Sequence, residues 1–194
     1  VWKPLFSPKD NTVTAPVKTP GGWTLACDGQ PLWGNTYAQL WHHFYSPDGE
    51  RIAAIAAPKF GRWTIAIDDR PWSATFGDFV DEALFSPDGQ RVACVGVENK
   101  KHQIAVDGQT WAGGYDMAFK PVFSPDSQHV AARVEQDGQF LILVDGTPLK
   151  ETFTRVWDPV FSPDGRHILV RALEHQGANT VYTRTVLPLT EILG

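Results

Sequence analysis

Apolar residues in this chain come in short runs, broken at close intervals by turn-forming residues. The run "EALF" at 82–85 feeds Ser86-Pro87-Asp88-Gly89. Proline presets the second turn position, and glycine tolerates the positive φ at the end. "RVACVGV" at 91–97 follows, rich in small and β-branched residues; then come the polar loop "ENKK" and "HQIAV" at 102–106. Asp107-Gly108 is a two-residue hairpin signal, and "QTWAGG" at 109–114 is a fourth, weaker run. This pattern predicts four short strands joined by tight turns. Helical spacing is absent throughout, and the turns arrive too often for helices of useful length.

The pattern recurs five times. An aromatic residue followed by Ser-Pro stands at Phe6, Tyr45, Phe85, Phe123 and Phe161, in steps of 39, 40, 38 and 38 residues. The hairpin signal recurs as Asp28-Gly29, Asp68-Asp69, Asp107-Gly108 and Asp145-Gly146. Thr183-Arg184 stands in that place in the fifth copy, so its last hairpin is expected to differ. A fixed period of this length marks a repeat architecture. One four-stranded sheet of this size cannot bury both faces, but five arranged radially can. The expected fold is an all-β, five-bladed β-propeller in one domain. Its repeats run 1–40, 41–80, 81–118, 119–156 and 157–194. The first run is an inner strand and the last an outer one, which predicts whole blades in register, closed by the first packing on the last.

An "FSPDG" turn followed by "RVA" or "RIA", then a strand ending in "VDG", resembles the WD40-like (PD40) repeats of TolB-type propellers. The resemblance covers all five repeats and implies the fold, not a chemistry. More narrowly, a small tryptophan-rich propeller resembles the accessory subunit of the Tmc transmembrane redox complex. That likeness implies a membrane-bound electron-transfer complex as partner and no redox centre in this chain.

The eight tryptophans follow the same ruler. Trp2, Trp41 and Trp157 lie four residues before the repeat aromatic; Phe119 fills that place in the fourth copy, and Asp81 breaks the series in the third. Trp33, Trp72 and Trp111 lie just past the hairpin signal. Trp23 and Trp63 share a third position with Phe140. The second and third sets are expected to fill space between blades, since each ring buries about 150–250 Å². Trp2, Trp41, Phe119 and Trp157 stand near the start of inner strands. They are candidates for an aromatic collar that binds a partner at one end of the channel.

Departures from the repeat mark local demands. Arg133 and Arg171 stand ten residues after the aromatic, where Ile55 and Val95 stand in other copies. A charge at an apolar strand position needs a partner or an opening to water. Asp81, Glu82 and Asp158 are the candidate partners. The polar binding set is therefore Asp81, Arg133, Asp158 and Arg171. His42-His43 invites a metal reading, but adjacent strand residues point to opposite faces and a third ligand at useful spacing is missing. No metal and no cofactor are expected. The same carboxylates form the alternative reading, a glycan- or small-ligand-binding propeller or a glycosidase-like hydrolase, which needs a pair about 5–9.5 Å apart. The repeat serines belong to turns, and no GxSxG, P-loop or GxGxxG is present.

Apolar content of 42% and charge of 20% fit an ordinary globular chain. A net charge of −5 without a Lys/Arg run argues against nucleic acid. No apolar stretch approaches the ~20 residues of a spanning helix. No signal peptide opens the chain, which favours the cytoplasm over the periplasm. Cys27 and Cys94 fall at different points of their repeats and are expected as thiols within strands. The reading is a non-catalytic, monomeric propeller that engages a protein partner.

Overall fold

The computed structural model describes residues 3–176 and 179–194. The chain forms five antiparallel sheets. The first holds Leu5–Phe6, Val13–Thr19, Gly22–Cys27 and Gln30–Pro31; the second Gln39–Tyr45, Ile52–Lys59, Arg62–Ile67 and Arg70–Pro71; the third Phe79–Phe85, Val92–Glu98, Lys101–Val106 and Gln109–Thr110. In the fourth, Met117–Ala118 and Val122–Phe123 form a broken inner strand on Val130–Gln136, followed by Gln139–Val144 and Thr147–Pro148. The fifth sets Arg155–Val156 and Val160–Phe161 on His167–Gln176, which pairs with Asn179–Pro188.

Turn chemistry explains the strand ends. In the second repeat the Ser46 hydroxyl donates to Asp48 Oδ1 at 2.6 Å and accepts the Arg51 amide at 3.0 Å. Ser86, Ser124 and Ser162 make the same bonds to Asp88, Asp126 and Asp164. The serine hydroxyls are thus committed to the turn, each donating to an aspartate and accepting a backbone amide. These bonds hold the turn carboxyls below the usual range, with the serine hydroxyl the largest cause. At the hairpins, Asp107 and Gly108 take φ of 52° and 79°, the paired positive values of a type I′ turn. The Asp107 carboxylate also accepts the Val92 amide at 2.9 Å, so one residue turns one strand and starts another.

The fifth sheet differs where its sequence does. Thr183 and Arg184 lie inside a ten-residue strand, so among the described residues the hairpin between third and fourth strands is missing from this blade. A short helix, Leu189–Leu193, follows; sequence periodicity gave no sign of it. Leu189 is buried in the core shared by the fourth and fifth blades.

The middle strands of the second and third blades are nearly continuous in apolar residues because both their faces are covered. Val92 and Cys94 face the second blade, while Ala93 and Val95 face the fourth. Burial pushes the Cys94 thiol up. Four apolar clusters join blades one to two, two to three, three to four and four to five. Arginines staple these seams. Arg51 pairs with Asp68 of its own blade and donates to Gln90 O of the next. Arg91 repeats this on Asp107 and Gln128 O.

The expected packing of the first blade on the last is not found. Among the described residues no apolar cluster joins them, and Phe6 is 71% exposed where Phe85 is 8% exposed.

Candidate functional site

The inner strands carry a feature that the sequence reading missed. The register slips between Trp41 and Phe44 and again between Asp81 and Leu84, so two residues bulge at each place. His42 and Glu82 take φ of 49° and 52° there. In the other three repeats the residue two before the aromatic is proline: Pro4, Pro121 and Pro159. Proline offers no N–H to the ladder and holds the residue before it extended. Lys120 and Asp158 accordingly lack the positive φ. Proline in three of five copies was the available signal for an interrupted strand.

The bulges put non-repeating side chains at the axis. A cavity of about 330 Å³ spans the first three blades, lined by Lys3, Trp41, His42, His43, Asp81 and Glu82 among others. Lys3, His42, Asp81 and Glu82 are exposed at its mouth. Asp81 Oδ1 accepts the Glu82 amide at 2.8 Å, which fixes its carboxylate at the bulge. The two histidines part company. His42 faces solvent, whereas His43 is buried with Nε2 3.0 Å from Thr14 Oγ1 and 3.2 Å from Thr14 O. Thr14 Oγ1 in turn meets Tyr45 Oη at 3.0 Å. Desolvation lowers the His43 pKa, with the Thr14 backbone opposing it. Among the described residues no group of three or more His, Cys, Asp or Glu is placed to hold a metal ion.

A second cavity of about 340 Å³ lies between the fourth and fifth blades, lined by Arg133, Phe140, Thr154, Arg155, Val156 and Trp157. Arg133 sits with its guanidinium carbon 3.8 Å from the centre of the Phe119 ring and donates to Val156 O at 2.8 Å. Its Nε lies 3.0 Å from Asp158 Oδ1 but makes no hydrogen bond, so that contact is an ion pair without an aligned N–H. Arg171 donates to the Asp158 carbonyl at 3.2 Å. Asp158 thus serves both arginines, one through its side chain and one through its backbone. Asp81 and Glu82 serve neither; they border the other cavity.

The candidate aromatics are distributed between these places. Trp2 lies outside the described residues. Trp41 stacks on Trp63 of its own blade, with centroids 4.6 Å apart and planes 17° apart. Phe119 packs on Phe140 at 6.1 Å, and Trp157 meets Tyr182 edge-on at 5.6 Å. The first and third aromatic positions of the repeat are therefore partners across one blade. Trp41 opens on the first cavity and Trp157 on the second. In the third blade this pair of positions holds Asp81 and His102, and the buried His102 Nδ1 has no hydrogen-bond partner.

Comparison with solved structures agrees with this architecture. The chain superposes on the Dos1 propeller with a TM-score of 0.52 at 15% identity, covering 93% of this chain and 53% of that one. The β-propeller domain of the Trilobed protease from Pyrococcus furiosus, described as having an open velcro topology, gives 0.50 at 13% identity, over 95% and 63%. A eukaryotic initiation factor gives 0.50 at 14%, over 91% and 49%. The chain spans about half to under two thirds of the length of these structures. At such identities the likeness is one of fold, that of a β-propeller. No protein-family model matches the sequence, and neither does any curated protein.

Proposed function

We propose that this propeller is a non-catalytic binding module. It takes a segment of a protein partner at the cavity formed by its first three blades. The observation that carries this is the cavity itself: the bulges of the second and third inner strands bring His42, Asp81 and Glu82 together with Lys3 of the first blade around Trp41. A lysine and two carboxylates on one rim, with an aromatic wall, suit a peptide bearing both charges. In its finer form the partner is a membrane-bound electron-transfer complex, and the chain is an accessory subunit without a redox centre; the tryptophan-rich repeat supports that version.

Hydrolysis has less support. A glycosidase-like mechanism needs two carboxyls facing each other across a substrate. Here Asp81 and Glu82 are chain neighbours, and Asp158 is engaged by Arg133 in another cavity. The test is co-purification from the native source with immobilised protein, comparing the native chain with the Asp81→Asn/Glu82→Gln double variant. Both positions are exposed, so the melting temperature should stay unchanged while partner recovery falls about tenfold. Full recovery by the double variant would overturn the site. Glycoside or ester turnover lost in that variant would overturn the non-catalytic reading.

A further inference from the structure

Each internal seam joins a trailing face of one blade to a leading face of the next. The third blade shows the leading face: Phe85, Val92, Cys94 and Ala105 are buried against the second blade. Register places Phe6, Val13, Ala15 and Ala26 at the same positions in the first blade. There Phe6 is 71% exposed, and Val13 and Ala15 are half-exposed. The second blade shows the trailing face, with Trp41, Ile55, Trp63, Ile65 and Ile67 packed towards the third. Register places Trp157, Arg171, Tyr182, Arg184 and Val186 at those positions in the fifth. Tyr182 is 44% and Val186 62% exposed, whereas Trp63 is 8% exposed.

This chain therefore carries both halves of a fifth seam and leaves both uncovered except at Ala26, which is 5% exposed. We infer that the trailing face of the fifth blade docks on the leading face of the first blade of a second copy of this chain. The four seams already made are the evidence for fit, because the same repeat positions meet in each. The substitutions on the exposed half also suit an interface. Trp, Tyr and Arg are the residues that most often anchor one. Arginine against the leading aromatic is the chemistry of the internal seams, where Arg51 lies 5.9 Å from the Phe85 ring centre and Arg91 5.6 Å from that of Phe123. In the fifth blade that repeat position holds His167, while Arg184, at the place of Ile65, rests 5.1 Å from the Tyr182 ring and adds a cation to the trailing face. Of the two lysines three residues from Phe6, Lys3 lines the cavity of the first three blades and Lys9 pairs with Glu50. The contact is heterologous, and two copies that exchange it close under a two-fold axis. The sequence alone led to the expectation of a monomer; the uncovered faces argue against it.

The test is molar mass in solution by light scattering across a concentration series. The native chain should move from 21.5 kDa towards twice that mass as concentration rises. Phe6→Glu and Val186→Glu should each remain at 21.5 kDa with unchanged melting temperatures, since both side chains are exposed. An equimolar mixture of the two variants should regain assembly, because it restores one unaltered seam. A native monomer at every concentration overturns the inference, whether the ring closes on itself or another polypeptide covers these faces. An assembly that either variant leaves intact, or that the mixture fails to restore, overturns it too, since the contact then lies elsewhere or is isologous.

Discussion

The guanidinium of Arg91 donates to the backbone carbonyl of Gln128, in the following blade, at 2.7 Å. The same side chain holds Asp107 of its own blade at 2.8 Å and stands over the Phe123 ring. One residue thus ties a hairpin, a strand start and the next blade's turn.

Arg91→Ala should cost about 1–2 kcal/mol in chemical denaturation, the scale of charge-assisted hydrogen bonds discounted for partial exposure. Arg91→Lys should recover less than half of that, because a single ammonium cannot reach the hairpin and the next turn together. A loss below a few tenths for Arg91→Ala would show that the apolar seam holds without the staple.

His43 makes stability depend on pH. Burial depresses its pKa below 6.5 in the folded chain, so the unfolded chain takes up the proton first as pH falls. Its contribution is complete above 6.5 and is lost as the pH drops through the folded value. The denaturation midpoint of the native protein should fall between about pH 7.5 and about pH 5.5. His43→Gln should be less stable at the upper pH but show a smaller fall. Equal pH dependence in the two proteins would mean that His43 is not the titrating group.

Gly96 leaves room for the Phe76 ring, and a Cβ at Gly96 would overlap that ring. Phe76 is buried at the seam of the second and third blades, so the clash has no outlet. Gly96→Ala should destabilise by about 1–3 kcal/mol, as overpacking does. Adding Phe76→Leu should recover part of that loss, giving a coupling between the two sites that denaturation of the double variant measures.

Much of the candidate site was legible because departures stand out against a repeat. Arg133 and Arg171 occupy places held by aliphatic residues elsewhere, and Asp158 was among the acids named for them. The ruler could not say which acid would serve. Asp81 and Glu82 had the same sequence credentials as Asp158, yet the bulge turns them into a different cavity. In the sequence His43 offers only the outline of a metal ligand. Its burial against Thr14 depends on a neighbouring blade, whose nearness has no local signal.

The sequence by itself determined the repeat of short strands, the Ser-Pro turns, the Asp-Gly hairpins of the first four blades and the number of blades. Those follow from backbone rules acting over a few residues: proline's fixed φ, the positive φ at an Asp-Gly turn, and apolar runs covered on both faces. Only the tertiary structure decided which repeat positions share a cavity, which acid meets which arginine, and that the first and fifth blades keep uncovered faces. Those depend on how side chains of given volume set the angle between neighbouring blades. Ring closure depends on the sum of those angles over four packed seams, and the repeat period carries no record of it.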